Sequence, residues 1–444
     1  MRHPAFGLRR TVLPLVAIAL VTTACFQQAA DGDGDDSAAQ EVERRVAKEP
    51  TEPVTISFAS WVGESPQMKK FAEDFQKEHP NITIEFQNVP AERATDKLTT
   101  QVAGGNPPDV AYMDSSAVED FASREALVNL DPYIAGSDVV EPDEYVEGFA
   151  SSATFEDSMY GLPFDGETTG LFYRTDMFEA AGIDGPPETW EELEAAAAAL
   201  TDEANKTYGF ILFAPEAYYY WYPFLWQAGG DLLSDDGEIA FDSPEAKEAA
   251  EFYVGLRDYA PTDYLNSNSW DGRVAFATGK VGMYMAGSWF GGEMRLSFPE
   301  INGKWDVAPL PEGPEGCATT MAGDTLAIFS QSENPDAAWL WIEYLSQEEQ
   351  MKKWTFGTKT STVLPPRQDL LDDPELGKFN PWLQGFADNM DCAVTNNITN
   401  PKWPQIEQKL NESLGEALYG DMSATEALDQ AAEEGEELLQ SSGG

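Results

Sequence analysis

Two carboxylates flank a glycine at Asp165-Gly166-Glu167, between two short apolar runs. The runs Gly161–Phe164 and Leu171–Tyr173 are typical of buried strands. Removing ionised carboxylates from water is costly unless they find partners. Asp165 and Glu167 are therefore predicted to line a wet cleft or to bind a ligand. We interpret this stretch as a point where the chain crosses from one lobe to another and leaves both carboxylates between the lobes.

Paired carboxylates also serve glycosidases, which hold an acid and a base or nucleophile about 5–9.5 Å apart. Nothing beyond abundant acid supports a hydrolase, because the sequence has no GxSxG elbow, no Walker loop and no CxxC motif. After the first residues the only histidine is His79, which argues against His-based triads and multi-His metal sites. We predict a protein that binds a ligand without catalysis, with no catalytic residue, no metal and no cofactor. The alternative to this prediction is a secreted carbohydrate-active hydrolase.

The composition is strongly acidic and rich in aromatic residues. The chain has 27 Lys and Arg against 78 Asp and Glu, a net charge of −51, so it repels nucleic acid. It also has 12 Trp, 16 Tyr and 24 Phe. Carboxylates accept hydrogen bonds from hydroxyls, and flat rings cover the apolar faces of pyranoses. A sugar-handling protein can have this combination. The acidic surface is also compatible with adaptation to a salty or a hot habitat, and composition does not choose between them.

The N-terminus predicts export. Three arginines and a short apolar run, Thr11–Val21, precede Thr22-Thr23-Ala24-Cys25. The run is too short to span a bilayer and is typical of a secretory signal over residues 1–24. The last four residues resemble the bacterial lipobox, with Thr22 where leucine is usual, and this makes Cys25 the predicted lipidation site. A plain secreted protein with a spare thiol is the alternative. Residues 25–52 are polar and acidic and are predicted to form a disordered tether.

Strands and helices alternate at the start of the body. The predicted order is strand Val54–Ala59, helix Met68–Glu78, strand Asn81–Asn88, helix Ala91–Ala103 and strand Asp109–Met113. Such alternation favours a parallel sheet, and ligands bind outside the carboxyl ends of its strands. Trp61, Glu64 and Asp114 follow those strand ends and are predicted to share one rim.

Several segments in order resemble a known family. They include AGGNPPDVAYMD, MYGLPFDGETTGLFYRTDMFEAAGI, WQAGGDLL, FATGKVGMYMAGSWF, WDVAPLPEGP and LPPR. Over Val54–Leu439 the chain is similar to the extracellular solute-binding proteins of carbohydrate ABC importers, of the maltose-binding type. The resemblance implies an α/β, periplasmic-binding-protein-like fold, with two α/β lobes joined by a multi-segment hinge and a ligand cleft between them.

The resemblance also implies lobe boundaries. Residues 53–163 with about 310–360 would form the N-terminal lobe, and residues 164–309 with about 361–440 the C-terminal lobe. Closure is predicted about the segments near Pro163–Gly166, Pro309–Thr320 and Thr360–Pro366.

The same resemblance assigns ligand contacts. Five consecutive aromatics, Tyr218–Tyr222, cannot all point inward, and the family pattern selects Tyr219 and Trp221 for stacking. Arg367 is predicted to reach the cleft, with a salt bridge on the acidic surface as the alternative. The full predicted ligand-binding set is Trp61, Glu64, Asp114, Asp165, Glu167, Tyr219, Trp221, Trp289, Gly323, Asp324, Arg367 and Trp403.

Two cysteines, Cys317 and Cys392, remain after lipidation of Cys25. An even count in an oxidising compartment favours a disulfide between them. We expect a monomer held by lipid at the extracellular face of the cytoplasmic membrane. The implied function is to bind a disaccharide or short oligosaccharide and to deliver it to the permease subunits of an ABC importer. A sugar-sensing or adhesion lipoprotein would share the same site, and the sugar, its linkage and its length are left open.

Overall fold

The computed structural model describes residues 43–213, 217–234, 236–261, 271–395, 398, 400 and 402–440. The predicted signal peptide, Cys25 and most of the predicted tether lie outside these residues. The strands are β1 Val54–Ser60, β2 Ile82–Asn88, β3 Val110–Asp114, β4 Thr154–Phe155, β5 Ser158–Met159, β6 Gly161–Thr168, β7 Gly170–Tyr173, β8 Met283–Ala286, β9 Asp306–Ala308, β10 Thr319–Ile328 and β11 Ala393–Thr395.

The α-helices are α1 Pro66–Glu78, α2 Ala94–Ala103, α3 Val118–Ser123, α4 Asp131–Ile134, α5 Glu147–Ser152, α6 Thr175–Ala181, α7 Trp190–Leu200, α8 Ala217–Tyr220, α9 Tyr222–Gln227, α10 Pro244–Gly255, α11 Gly272–Ala277, α12 Trp289–Ser297, α13 Pro335–Leu345, α14 Glu348–Thr355, α15 Gln368–Leu371, α16 Trp382–Asp388, α17 Trp403–Tyr419 and α18 Ala424–Gln440. Short 3-10 helices cover Ala91–Arg93, Ser115–Ala117, Pro142–Glu144, Glu203–Asn205, Leu256–Tyr259, Pro299–Ile301 and Asn389–Cys392.

The larger sheet has the order β11-β10-β3-β1-β2, and β6 also pairs with β10. Strand β1 is parallel to β2 and β3, which confirms the predicted strand–helix alternation. Helix α1 begins at Pro66, two residues before the predicted start at Met68, because the Ser65 side chain caps the N–H of Met68 and Pro66 occupies the first turn. The apolar face of α1, with Phe71 and Phe75, is buried in a first hydrophobic core that also contains residues of the larger sheet.

The smaller sheet has the order β8-β7-β9, and its pairs are antiparallel. A second hydrophobic core accompanies it. Helices α7, α9, α10, α17 and α18 supply the buried faces of that core. Phe172 of β7 and Tyr284 of β8 belong instead to the first core, so the smaller sheet packs against both cores. More than one core is expected for a chain too long to fold around a single simple core.

The segments predicted to act as a hinge lie side by side. Strand β6 of the larger sheet continues almost directly into β7 of the smaller one. At this point the Thr169 N–H donates to the Thr320 carbonyl at 3.3 Å. Gly166 and Leu364 exchange backbone hydrogen bonds of 2.9 and 2.8 Å. Short backbone contacts therefore join the three segments into one narrow connection.

Residues 43–52, assigned above to the tether, have no helix or strand but contact the body. The Arg45 N–H donates to the Pro132 carbonyl at 2.7 Å. The Arg45 guanidinium also lies 4.5 Å from the centre of the Tyr133 ring and donates to Asp336. Glu49 pairs with His79 at the end of α1. Arg45 and Glu49 therefore pack on the body, although the sequence assigned them to the tether. Within the described ranges, no helix is long and apolar enough to cross a membrane.

Candidate functional site

A cavity of about 1020 Å³ lies where the two sheets approach each other. Its wall on the side of the larger sheet contains Trp61, which follows β1, the end of β3, the second half of β6 and the middle of β10. Its other wall contains Tyr219 of α8 and Trp289 at the start of α12. The cavity is therefore built from both sides of the connection described above.

Strand register places three aspartates in a row across the cavity floor. Asp324 of β10 lies opposite Asp114 of β3 on one side and opposite Asp165 of β6 on the other. The β10–β6 register shifts immediately after this point, where Thr325 faces Pro163 and Phe164 is the extra residue. Such a bulge changes the direction of neighbouring side chains. Like charges directly opposite one another destabilise a sheet. Other groups must therefore stabilise the row of three aspartates.

Tyr112 and Trp354 supply hydrogen bonds to this row. The Tyr112 hydroxyl lies 2.8 Å from Asp165 Oδ2 and also contacts Asp324 Oδ2. The indole N–H of Trp354 donates to Asp165 Oδ2 at 2.5 Å. The Trp354 ring stacks on Phe164, with ring centres 5.5 Å apart. Asp165, only 2% exposed, is thus held by hydrogen bonds from β3 and α14.

Glu167 belongs to a second hydrogen-bonded group. Its Oε1 accepts a 2.9 Å hydrogen bond from the Tyr219 hydroxyl, and the Trp289 indole N–H lies 3.4 Å from that hydroxyl. Gly287 makes this arrangement possible: a Cβ at this position would lie 2.0 Å from Glu167 Oε2 and 2.5 Å from the Tyr219 hydroxyl. Only glycine leaves room for the three side chains to meet.

Burial dominates the electrostatics of the floor. Burial raises the pKa of Asp165 to about 6, although hydrogen bonds from Trp354 and Tyr112 act in the opposite direction. Burial, aided by the negative charges of Asp165 and Asp114, raises the pKa of Glu167 to about 8. Burial and the same two aspartates raise the pKa of Asp324 well above its ordinary value.

No ion pair within the described part of the chain joins Asp114, Asp165, Glu167 or Asp324 to a lysine or arginine. Over the same residues, no group of three or more His, Cys, Asp or Glu side chains is arranged to hold a metal ion. The floor is therefore a hydrogen-bonding surface whose charge depends on protonation.

Most of the residues predicted to bind ligand lie together in the cavity wall. Trp61 lines it and packs edge-to-face on Tyr112, with ring centres 4.7 Å apart. The other predicted residues that line it are Asp114, Asp165, Glu167, Tyr219, Trp289, Gly323 and Asp324. Their contacts with a ligand stay a prediction, but their spatial grouping is established.

Trp221 does not line the cavity, which corrects the prediction. Its side chain is 0% exposed and packs within the core of helices α9, α10 and α17. Tyr219 and Trp221 are two positions apart in a helical stretch, and successive helical residues turn by about 100°. When Tyr219 faces the cavity, Trp221 must therefore face away from it.

Trp403 is also a core residue. It is 6% exposed at the start of α17 and contacts the Phe241 ring, with centres 6.4 Å apart. The predicted cleft role is therefore corrected. The family pattern identified an aromatic position, but α17 directs it into the second core.

Arg367 and Glu64 form ion pairs away from the cavity. Arg367 is 6% exposed and pairs with Asp369 at 2.8 Å and with Glu144 at 2.6 Å. The salt-bridge alternative is thus confirmed, in a buried setting. Glu64 is mostly exposed, pairs with Lys69 at 2.5 Å, and does not line the cavity. Ser65 and Pro66, which follow it, do line the cavity.

Sequence reasoning missed Tyr112 and Trp354, both of which line the cavity. A signal for Tyr112 was available, because side chains two positions apart on a strand share a face and Tyr112 precedes the predicted Asp114. Trp354 had no such signal, since it lies 189 residues from its partner Asp165.

Cys317 and Cys392 form a disulfide with Cα atoms 5.6 Å apart, which confirms the predicted pairing. The two residues precede β10 and β11, and Thr319 lies opposite Ala393 in the parallel pair that follows. The disulfide therefore joins the start of β10, beside the connection between the sheets, to the edge strand β11.

Comparisons with known proteins agree with this geometry. Residues 59–352 match the family model of bacterial extracellular solute-binding proteins. A chain described as a binding protein from Brucella abortus (strain 2308) is 31% identical over 391 residues, covering 84% of this chain and 90% of that one. The maltotriose-binding protein of Pyrococcus abyssi is 25% identical over 80% of this chain and 76% of its own length.

A solved structure is similar as well. The ABC transporter solute-binding protein of Thermotoga lettingae, bound with alpha-D-tagatose, has a TM-score of 0.79 and 29% identity. The likeness covers 88% of this chain and 100% of that one. It confirms the predicted fold, with two α/β lobes and a cleft between them.

Proposed function

Because the chain belongs to the bacterial extracellular solute-binding proteins, we propose that it binds an oligosaccharide in its cleft and delivers it to an ABC permease for uptake. The named relatives support a sugar ligand, since one binds maltotriose and another was solved with tagatose. Members of this family are binding proteins, and we propose that this chain likewise releases its sugar unchanged.

The observation that carries the proposal is the cleft between the two sheets. Its volume of about 1020 Å³ is at the upper end of the usual range for small-molecule sites, and it suits a ligand of more than one sugar ring. Trp61 and Trp289 offer flat apolar faces on opposite walls. Asp114, Glu167 and Asp324 offer oxygens to hydroxyl groups. Rings for stacking and fixed polar groups for orientation are the two requirements of a saccharide site.

Closure of the lobes provides the signal for transport in this proposal. The connection at Thr169, Thr320 and Leu364 is narrow and allows one sheet to rotate against the other. A ligand that contacts both walls shifts the population towards the closed form only as far as it binds that form more tightly than the open form. We propose that the permease recognises the closed lobes.

We further propose that Cys25 carries lipid and holds a monomer at the extracellular face of the cytoplasmic membrane. Replacing Cys25 by alanine should release the protein into the medium. Retention of the variant in the membrane fraction would contradict the proposal. The sensing and adhesion alternatives are separated from transport by deletion of the chain, which should abolish uptake of the bound sugar.

A thermal-shift screen of maltotriose, cellotriose, xylotriose, chitotriose and trehalose, followed by calorimetry, tests the binding proposal. We expect at least one saccharide to raise the unfolding temperature and to bind with a stoichiometry of one. Mass spectrometry of the recovered sugar tests the hydrolase alternative, because a binding protein returns it intact. Binding of none of these saccharides, or recovery of shortened products, would overturn the proposal.

A further inference from the structure

The contacts of Tyr112 impose a proton count on the cleft floor. A phenol has one O–H proton to donate, yet the Tyr112 oxygen lies within hydrogen-bonding distance of both Asp165 Oδ2 and Asp324 Oδ2. If both aspartates were ionised, one of these contacts would join two oxygens with no proton between them. One carboxyl group must therefore be the donor in its contact with Tyr112.

The surroundings indicate which aspartate carries the additional proton. Asp165 Oδ2 already accepts the Trp354 indole N–H at 2.5 Å, and the Tyr112 contact is 2.8 Å. Asp165 is thus supplied with donors and suits the ionised form. Asp324 lies between Asp165 and Asp114 in the strand register and is the more crowded by negative charge.

Among the residues that the structure describes, no nearby cation replaces that proton. The titratable groups that face the pair are Tyr112 and Asp114 of β3 and Glu167 of β6, whose own partner is Tyr219 of α8. Arg273 and Lys70 also line the cavity, but Arg273 pairs with Glu293 and Lys70 with Asp74. Helix α14 contributes Trp354, which does not titrate.

We propose that Asp165 and Asp324 share one proton in the ligand-free protein at neutral pH, that Asp324 holds it, and that the cleft consequently selects uncharged saccharides. The protonated carboxyl donates towards Tyr112, while its remaining oxygen accepts a hydrogen bond from a sugar hydroxyl. The inference that the cleft selects uncharged saccharides rests on the proposed function. The inference that the two aspartates share a proton does not. Burial raises the pKa of both Asp165 and Asp324, which agrees with a proton retained by the pair.

Carbon-13 NMR of the aspartate carboxyl carbons tests the proton without any ligand. We expect one carboxyl resonance to stay in the protonated range at pH 7 and to be absent from the Asp324→Asn spectrum. Asp138→Asn is the matched control, because the Asp138 side chain is 97% exposed. Complete ionisation of both aspartates at pH 7 would overturn the inference, and so would a protonated resonance that persists in Asp324→Asn.

Calorimetry then tests the link to binding, with whichever neutral saccharide of the screen gives the largest thermal shift at pH 6. If the proton is required, wild-type affinity should fall about tenfold for each pH unit above the pKa of the pair. Asp324→Asn imitates the neutral acid and should bind with little dependence on pH. An Asp324→Asn variant with the wild-type pH dependence would refute the inference. A screen in which no saccharide binds would refute the proposed function and leave the NMR result to decide the proton.

Discussion

The hydroxyl of Tyr219 donates a 2.9 Å hydrogen bond to Oε1 of Glu167 and thereby joins the two walls of the cleft. Glu167 lies on β6, which pairs with β10 of the larger sheet, and Tyr219 lies on α8, beside the core of the smaller one. The contact brings the Trp289 indole to the same place. A ligand in the cleft would therefore meet a carboxyl group whose protonation is coupled to an element of the opposite wall.

Glu167 makes stability depend on pH. Its pKa is raised from 4.5 to about 8, chiefly by burial. Below pH 4.5 the folded and unfolded states are both protonated; between the two pKa values the unfolded state loses a proton that the folded state keeps. Stability from this group therefore falls as pH rises through this interval, and the loss is complete above about pH 8. We expect the melting-temperature advantage of Glu167→Gln over wild type to grow from pH 4.5 to pH 8 in scanning calorimetry.

Glu179→Gln is the matched control for that experiment, because Glu179 is exposed on α6. An advantage of Glu167→Gln that is the same at every pH would show that the glutamate is not titrating in this interval.

Trp289 is expected to be a central anchor for the sugar. Replacing it by alanine removes a ring from the cavity wall and should weaken saccharide binding by about 2–4 kcal/mol, measured by calorimetry. Trp289→Phe should retain part of the affinity, since it keeps a flat ring but loses the contact with Tyr219. Trp226, partly buried and outside the cavity wall, is the control, and Trp226→Ala should leave affinity near wild type. Unchanged affinity in Trp289→Ala would remove this residue from the site.

Trp221 is expected to affect folding rather than binding. Its side chain is fully buried, and its indole nitrogen has no hydrogen-bond partner among the described residues. Trp221→Ala should lower the free energy of unfolding by about 3–5 kcal/mol because it leaves a cavity in the core. Trp221→Phe should cost less and should bind the saccharide as wild type does at a temperature where both are folded. A large loss of affinity in Trp221→Phe would restore the ligand role that the sequence suggested.

The disulfide between Cys317 and Cys392 closes a loop with a sequence separation of 75. Constraining a loop of that length in the unfolded chain stabilises a protein by about 4 kcal/mol in the chain-entropy model. The double variant Cys317→Ser and Cys392→Ser should lose a comparable amount in chemical denaturation. Intact mass after alkylation, with and without reductant, verifies the bond beforehand. Two alkylated thiols in the unreduced protein would contradict it.

Local signals allowed much of the fold to be predicted from the sequence. The strand–helix alternation near the start of the body predicted the parallel strands β1, β2 and β3. This was possible because hydrophobic periodicity and helix capping depend on residues close together in the sequence. The carboxyl ends of the predicted strands then placed Trp61 and Asp114 on a shared rim. The break between two apolar runs located Asp165 and Glu167, since carboxylates placed there must reach water or a partner.

Only the tertiary structure decided which other side chains face the cavity. Tyr219 and Trp221 are two positions apart, and the orientation of this helical stretch directs Tyr219 to the cleft and Trp221 to the core. Arg367 became part of an ion pair once folding brought Glu144 beside it. Trp354 reached Asp165 across 189 residues, and strand pairing set Asp324 between two other aspartates. Side-chain direction and long-range register depend on packing between distant segments, and a local sequence pattern carries no record of that packing.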